Sequence, residues 1–212
     1  MDRRLITMLG LVVLGLIGLF IFTQNKTTAP TLASNAKASN HVKGKVDSKV
    51  KLLIYSDFQC SACYRFYPIE SQVINKYIDK ISVQFRHFPI ESSHPNARAA
   101  SRAAEAAGLQ GKFFEMHNEL FDNYSSWTNS NNPLSVFTEL AKKMGLDVKR
   151  FKTDFASESV NNTISADKKA GEDAGIDGTP TYFLNNKKLD NGDIATVEQF
   201  SAVIEKAIEK SK

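Results

Sequence analysis

Cysteine is almost missing from this chain: 212 residues hold two. That excludes a disulfide framework, which small secreted domains build from a high density of cysteines. It also excludes a thiolate-rich zinc site, since structural zinc takes four ligands and there is no third cysteine. His87, His94 and His117 show no paired ligand spacing, so no metal is expected. A massed basic cluster is also absent. The lysines are scattered and the net charge of +4, with a pI near 8.9, is mild, so no nucleic-acid partner is expected and the simplest reading is a solvated surface.

Charge is absent altogether from Leu5 to Phe22, an apolar run that follows Met1-Asp2-Arg3-Arg4. At about 1.5 Å per residue such a run just crosses a hydrocarbon core of about 30 Å. A cleaved signal peptide has an apolar region of about 7 to 15 residues, and the nearest small-residue cleavage candidate, Thr31-Leu32-Ala33, lies well beyond the run. Residues 1–24 are therefore expected to be an uncleaved membrane anchor, with Arg3 and Arg4 cytoplasmic and all that follows Lys26 outside, where disulfides persist. Residues 25–40 lack large apolar side chains and are expected to be a flexible linker. Residues 41–212 remain as one domain with ample core.

What the domain does have is a C-x-x-C motif, Cys60-Ser61-Ala62-Cys63, in the stretch Ser56 to Tyr64. Val50 to Tyr55 reads as a buried strand. From Cys63 to Ile81 the apolar residues Phe66, Ile69, Val73, Tyr77 and Ile81 follow helical spacing. Cys60 then lies where a strand ends and a helix begins, near unpaired backbone N–H groups and the positive end of the helix dipole, a place that favours a thiolate. The thiolate is the nucleophile of disulfide exchange, so Cys60 is expected to be the exchanging sulfur and Cys63, one turn on, the resolving one. Half of a zinc site and a purely structural staple are the competing uses; the ligand count disfavours the first and the size of the chain the second.

After this helix, Ile81 to Phe88 alternates like a strand, completing a βαβ unit. Helical patterns follow over 97–107, 113–121, 133–144, 147–155 and about 160–174, none with a catalytic constellation; His117 among them is expected at the edge of the core. Strands return over Thr179–Leu184 and Lys187–Leu189 around a turn at Asn185-Asn186, and a last helix covers 197–208, with Thr196 near its start. Gly178-Thr179-Pro180 opens the returning strand, where a proline is edge punctuation or a cis bond; after a C-x-x-C βαβ half, cis is expected.

Four pieces together carry a resemblance: Ser56-Asp57-Phe58-Gln59 before Cys60, His94-Pro95 before the alanine-rich helix, Gly111-Lys112-Phe113 running into Met116-His117, and Gly178-Thr179-Pro180-Thr181. Over about residues 41–212 the chain resembles the DsbA-like family, exported or membrane-tethered bacterial thiol-disulfide oxidoreductases with a thioredoxin fold. The resemblance implies an α/β thioredoxin-like fold: a central mixed sheet of four or five strands flanked by helices, with a helical insertion at about 90–175 between the βαβ and ββα halves. It implies that Thr179 and Pro180 form a cis-proline loop facing Cys60, along which a substrate lies as an added strand. It also implies no cofactor beyond the redox-active Cys60–Cys63 disulfide. The chain departs from the family in two places. Many relatives carry proline and then histidine or an aromatic between the cysteines; here Ser61 and Ala62 take those places and tune the redox potential. The acidic residue often found six positions before the first cysteine is Ile54 here, which removes the usual proton acceptor. The expected function is the introduction of disulfides into exported cysteine-containing proteins, with a membrane partner that reoxidises the pair. A reductase or isomerase fed by a membrane electron donor, and a non-enzymatic tethered folding factor, are the alternatives.

Overall fold

The computed structural model describes residues 36–211. The anchor expected over 1–24 and the linker up to residue 35 lie outside the described residues. Among those described, no helix is long and apolar enough to cross a membrane. Five strands, β1 (His41–Gly44), β2 (Lys51–Ser56), β3 (Ser82–His87), β4 (Thr181–Leu184) and β5 (Lys187–Lys188), form one mixed sheet in the order β1-β3-β2-β4-β5. Helix α1 (Ser61–Tyr77) joins β2 to β3, which run parallel; the other neighbours are antiparallel. Asn185 and Asn186 both take positive φ, as a tight β4–β5 hairpin turn requires.

Register decides which side chains share a face. Ile54 lies opposite Phe85 on β3 and Tyr182 on β4, so Leu52, Ile54, Val83, Tyr182 and Leu184 point the same way. There they meet Val73, Ile74 and Tyr77 of α1 and Phe200 and Ile204 of α8 (Val197–Lys210) in one apolar cluster. Thr196 and Gln199 close a capping box at the start of α8, pairing backbone N–H groups that the first turn leaves free. On the opposite face Tyr55 packs with Phe88 and Ile176. Gly171 of α7 (Glu158–Asp173) presses against them: a Cβ there would fall 2.6 Å from the Phe88 ring and 3.1 Å from Tyr55. This close approach is open only to glycine.

Between β3 and β4 run α2 (Ala97–Gly108), α3 (Phe113–Asp122), α4 (Tyr124–Trp127), α5 (Pro133–Lys143), α6 (Val148–Ala156) and α7. Helix α2 buries Ala97, Ala100, Ala103, Ala104, Ala106 and Ala107 completely. Alanines on several sides let α3, α5, α6 and α7 all contact it, which makes α2 the axis of the insertion. A second apolar cluster surrounds it and takes in Phe58, Cys60 and Cys63.

Three features depart from the expected pattern. Strand β1 was not anticipated, because four residues that include His41 and Lys43 carry too little apolar signal; it forms by pairing with β3. The expected linker gives way to packed structure before residue 40: Ser39 is buried, with its N–H donating to Asp167 Oδ1 at 2.8 Å. His117 lies inside the core rather than at its edge, 2% exposed among Phe58, Phe85 and Phe121.

Candidate active site

Strand β2 ends at Ser56, and the backbone turns through Asp57, Phe58 and Gln59 so that Cys60 caps α1 with extended φ and ψ of −66° and 121°. Each residue of this turn is tied down. Asp57, fully buried, accepts from the Gln59 N–H at 2.8 Å with one carboxylate oxygen, and from the Ile90 N–H at 2.8 Å and His94 Nδ1 at 2.7 Å with the other. Phe58 packs against Phe85, His117 and Phe121. The Gln59 side chain donates to the Thr128 carbonyl and accepts from the Asn96 N–H, while its own carbonyl accepts from the Tyr124 hydroxyl. The lead-in thus locks the strand end, the β3–α2 connection and the insertion together. A buried polar network with every member paired holds one geometry.

Within that frame the two cysteines, both free thiols, differ in chemistry more than in access. Cys60 is 8% exposed and Cys63 4%, so exposure separates them little. The Cys60 pKa is lowered to about 5. A hydrogen bond from the Cys63 thiol is the largest cause; burial opposes it, and donors from the Cys63 and Ala62 backbone and the Thr179 side chain add to it. Thr179 Oγ1 is buried and makes no hydrogen bond within the usual distance and angle limits, so its part in lowering the Cys60 pKa is the weakest of these contacts in geometry. The Cys63 thiol is pushed well up, first by burial and then by the hydrogen bond it gives Cys60 and by the charge there. The arrangement holds a thiolate at Cys60 beside a protonated Cys63.

The structure brings Thr179 and Pro180 to this spot from far along the chain. The Cys60 thiol lies 3.4 Å from the Thr179 carbonyl oxygen, and the Thr179–Pro180 peptide is cis. Asp177, Thr179, Pro180, Lys188 and Asn191 border an open recess of about 370 Å³ beside the loop. Ser61 is exposed and Ala62 half-buried against the insertion. Tyr64 stacks on Tyr124 at 4.3 Å. Ile54 is 1% exposed in the apolar cluster of α1 and α8.

Sequence reading missed two polar groups near the site. Glu70 is buried on α1, two turns beyond Cys63, and its Oε2 accepts from Tyr182 Oη at 2.7 Å. Burial raises its pKa, and Tyr182 and Lys43 oppose the rise. Its seven-residue spacing from Cys63, on one face of α1, was the available signal. The second is the Asp57–His94 contact. Both residues stood in the motifs, but nothing in their spacing of 37 residues says that they touch.

Comparison with known proteins agrees with this geometry. The family model described as Thioredoxin matches residues 36–206. Among solved structures, alpha-DsbA1 of Wolbachia pipientis superposes with a TM-score of 0.70 at 21% identity, covering 82% of this chain and 92% of that one. BdbD of Bacillus subtilis gives 0.70 at 21% identity, covering 82% and 97%. MdbA of Actinomyces oris, a thiol-disulfide oxidoreductase, gives 0.65 at 19%, covering 79% and 87%. At these identities the likeness shows the fold. Among curated proteins, a protein named Na(+)/H(+) antiporter NhaA 1 from Mycolicibacterium vanbaalenii is 36% identical over 150 residues, and its counterpart from Mycolicibacterium gilvum 35% over 153. These matches take in 69% and 70% of this chain; the chain spans about a quarter of the length of those relatives, 23% and 24%.

Proposed function

From the premise that this chain belongs to the thioredoxin family, we propose that it is a protein thiol-disulfide oxidoreductase of the DsbA type, acting as a disulfide donor through Cys60 and Cys63. The observation that carries this reading is the placement of Cys60 and Cys63 at the start of α1 with the cis Thr179–Pro180 loop 3.4 Å from the Cys60 sulfur, and the lowered Cys60 and raised Cys63 pKa accord with it. In the oxidised enzyme a substrate thiolate attacks Cys60 Sγ, the Cys60–Cys63 bond breaks, and Cys63 leaves and takes up a proton. A second substrate thiolate then attacks the substrate sulfur of the mixed disulfide. Cys60 leaves as a stable thiolate, the substrate carries a new disulfide, and the enzyme holds the two electrons. A low pKa makes Cys60 a good leaving group and stabilises the reduced form, so the disulfide is an oxidant. The Thr179-Pro180 loop, close against Cys60, is the place for an extended substrate segment.

The substrates on this reading are exported proteins bearing cysteines, and a membrane partner reoxidises the pair. The N-terminal segment anchors the domain on the outer side of the cytoplasmic membrane; the uncharged run from Leu5 to Phe22 supports this part.

The deciding experiment is the reduction potential of Cys60/Cys63 in a glutathione buffer. Strong oxidants lie near about −120 mV and thioredoxin near about −270 mV. A value less negative than about −200 mV is expected. A value near that of thioredoxin would make the protein a reductase. Full function with both cysteines changed to serine would make it a folding factor.

A further inference from the structure

Away from the sulfurs, three ionisable side chains converge that no sequence spacing connects. His41 on β1 and His87 on β3 each place Nε2 2.8 Å from the same oxygen, Oε1 of Glu105 on α2. The three donor atoms lie within 4.8 Å of one another. We propose that His41, His87 and Glu105 form a binding site for a divalent transition cation of the zinc class.

The donor set is the first reason. Two imidazole nitrogens and one carboxylate suit zinc and its neighbours, whereas calcium takes about six to eight oxygens. Zinc bonds such donors at about 2.0 to 2.2 Å, so they must stand about 3.3 to 3.5 Å apart. Glu105, at 2.8 Å from each nitrogen, must draw back, and with the three donor atoms spread over as much as 4.8 Å the partly exposed His41 ring must close toward His87 as the ion binds.

Rigidity is the second reason. The His41 ring stacks on Phe113 at 3.5 Å, and the His87 ring is enclosed by Phe58, Phe85 and Phe113. Gly108 makes room for the first of these, because a Cβ there would stand 3.0 Å from His41 Cε1 and 3.3 Å from Phe113. The two rings are therefore held near one another before any ion arrives, which limits the ordering that binding must supply.

Charge is the third. Among the described residues no lysine or arginine pairs with Glu105; its side-chain partners are the two histidines. The Glu105 side chain is 8% exposed, and the way to it from solvent runs past His41. His87 is fully buried, yet the His41 side chain is 20% exposed. It borders an open recess of about 210 Å³ lined by Asn40, Gly108, Gly111, Phe113 and Phe114. An ion can enter there and keep a water in its fourth position. Bound, it would clamp the edge strand β1 to the axis of the insertion, behind the Phe58 that seats the cysteine turn.

The test uses the full chain with Cys60 and Cys63 oxidised, which removes the thiols as ligands. Zinc is titrated by calorimetry and cobalt by visible absorption. One ion per chain is expected, with cobalt bands of a nitrogen and oxygen site lacking a thiolate charge-transfer band, and a higher melting temperature with zinc. His41→Ala, at the exposed side of the cluster, should weaken zinc binding by more than about 100-fold, beyond the 10- to 100-fold typical of a group that only orients a ligand. It should also abolish the zinc-dependent rise in melting temperature, and His41→Gln provides the same test with less loss of packing. Absence of stoichiometric zinc binding to the oxidised wild-type chain would overturn the proposal. So would binding by a folded His41 variant within about tenfold of wild type. The three groups would then be a hydrogen-bonded tie alone.

Discussion

The first turn of α1 and the interior of the helical insertion both take ionisable groups out of water, and they treat them in opposite ways. At the helix start, Cys60 is drawn toward the charged form by a neighbouring thiol and by donors at the helix end, against the pull of burial. Inside the insertion, His117 has a single side-chain partner among the described residues, Asn118; burial lowers its pKa to about 3, with the charge of Lys43 assisting. The two outcomes teach that burial sets only the default, the uncharged form. The supply of correctly placed donors decides whether a buried group becomes reactive.

The largest effect expected from this contrast falls on activity. Cys63→Ala removes the resolving thiol and leaves Cys60, so mixed disulfides with substrates should accumulate on non-reducing gels. Cys60→Ala should trap none. Equal trapping by both variants would mean that the difference between the two sulfurs has no chemical consequence.

Next is the turn that holds the donors in place. Asp57→Ala leaves the Gln59 and Ile90 N–H groups and the His94 ring without their acceptor. A loss of about 2 to 4 kcal/mol is expected from several unpaired buried donors. Urea unfolding measures it. Thiolate absorbance against pH should show the Cys60 pKa rising in the same variant. An unchanged pKa in a folded Asp57→Ala protein would show that the helix end needs no external support.

Acid should act first on the insertion. The His117 pKa lies below its unfolded value of 6.5. The stability tied to its neutral form is therefore present above about 6.5 and is lost as pH falls toward about 3, because the unfolded chain takes up the proton first. For Cys60, lowered from 9.0 to about 5, the reduced form gains stability over the oxidised form as pH rises from about 5 to 9, where the gain is complete. Melting curves of both redox forms across pH check the two windows. His117→Phe should flatten the acid limb and leave the redox difference alone.

The smallest effect concerns Ile54. Its neighbour in register, Tyr182, is already hydrogen-bonded to the buried Glu70. Ile54→Glu should raise the Cys60 pKa by about one unit or less and make the potential more negative, with a loss of stability from a buried carboxyl group. An unchanged or lowered pKa in the folded variant would show that charge on this face does not tune the sulfurs.

What was legible beforehand was local. Cysteines between a strand pattern and a helix pattern locate a helix N-terminus, and an N-terminus favours anions whatever the rest of the chain does. The alanine-rich α2, the asparagine turn at Asn185 and Asn186, and Thr196 at the start of α8 were readable for the same reason, since each depends on residues a few positions apart. Strand β1 was not readable, because its pairing with β3 rather than its four side chains makes it a strand. Nor were the contacts that give the motif residues their work. Asp57 reaches His94, Gln59 reaches Thr128, and Cys60 meets Thr179 across 119 residues.

The sequence by itself determined the chemistry available: two sulfurs three residues apart at a helix start, a proline loop, and few other groups able to react. Only the tertiary structure decided the assignments. Sheet register and the packing of an alanine helix set which buried polar groups stand within hydrogen-bonding distance. Glu105 thus lies between His41 and His87, Glu70 meets Tyr182, and Asp57 holds the turn. Side-chain spacing along a chain repeats over a few residues, whereas the strength of a polar contact depends on ångström-scale distance and exclusion of water. Those two conditions are met only when distant segments are packed together.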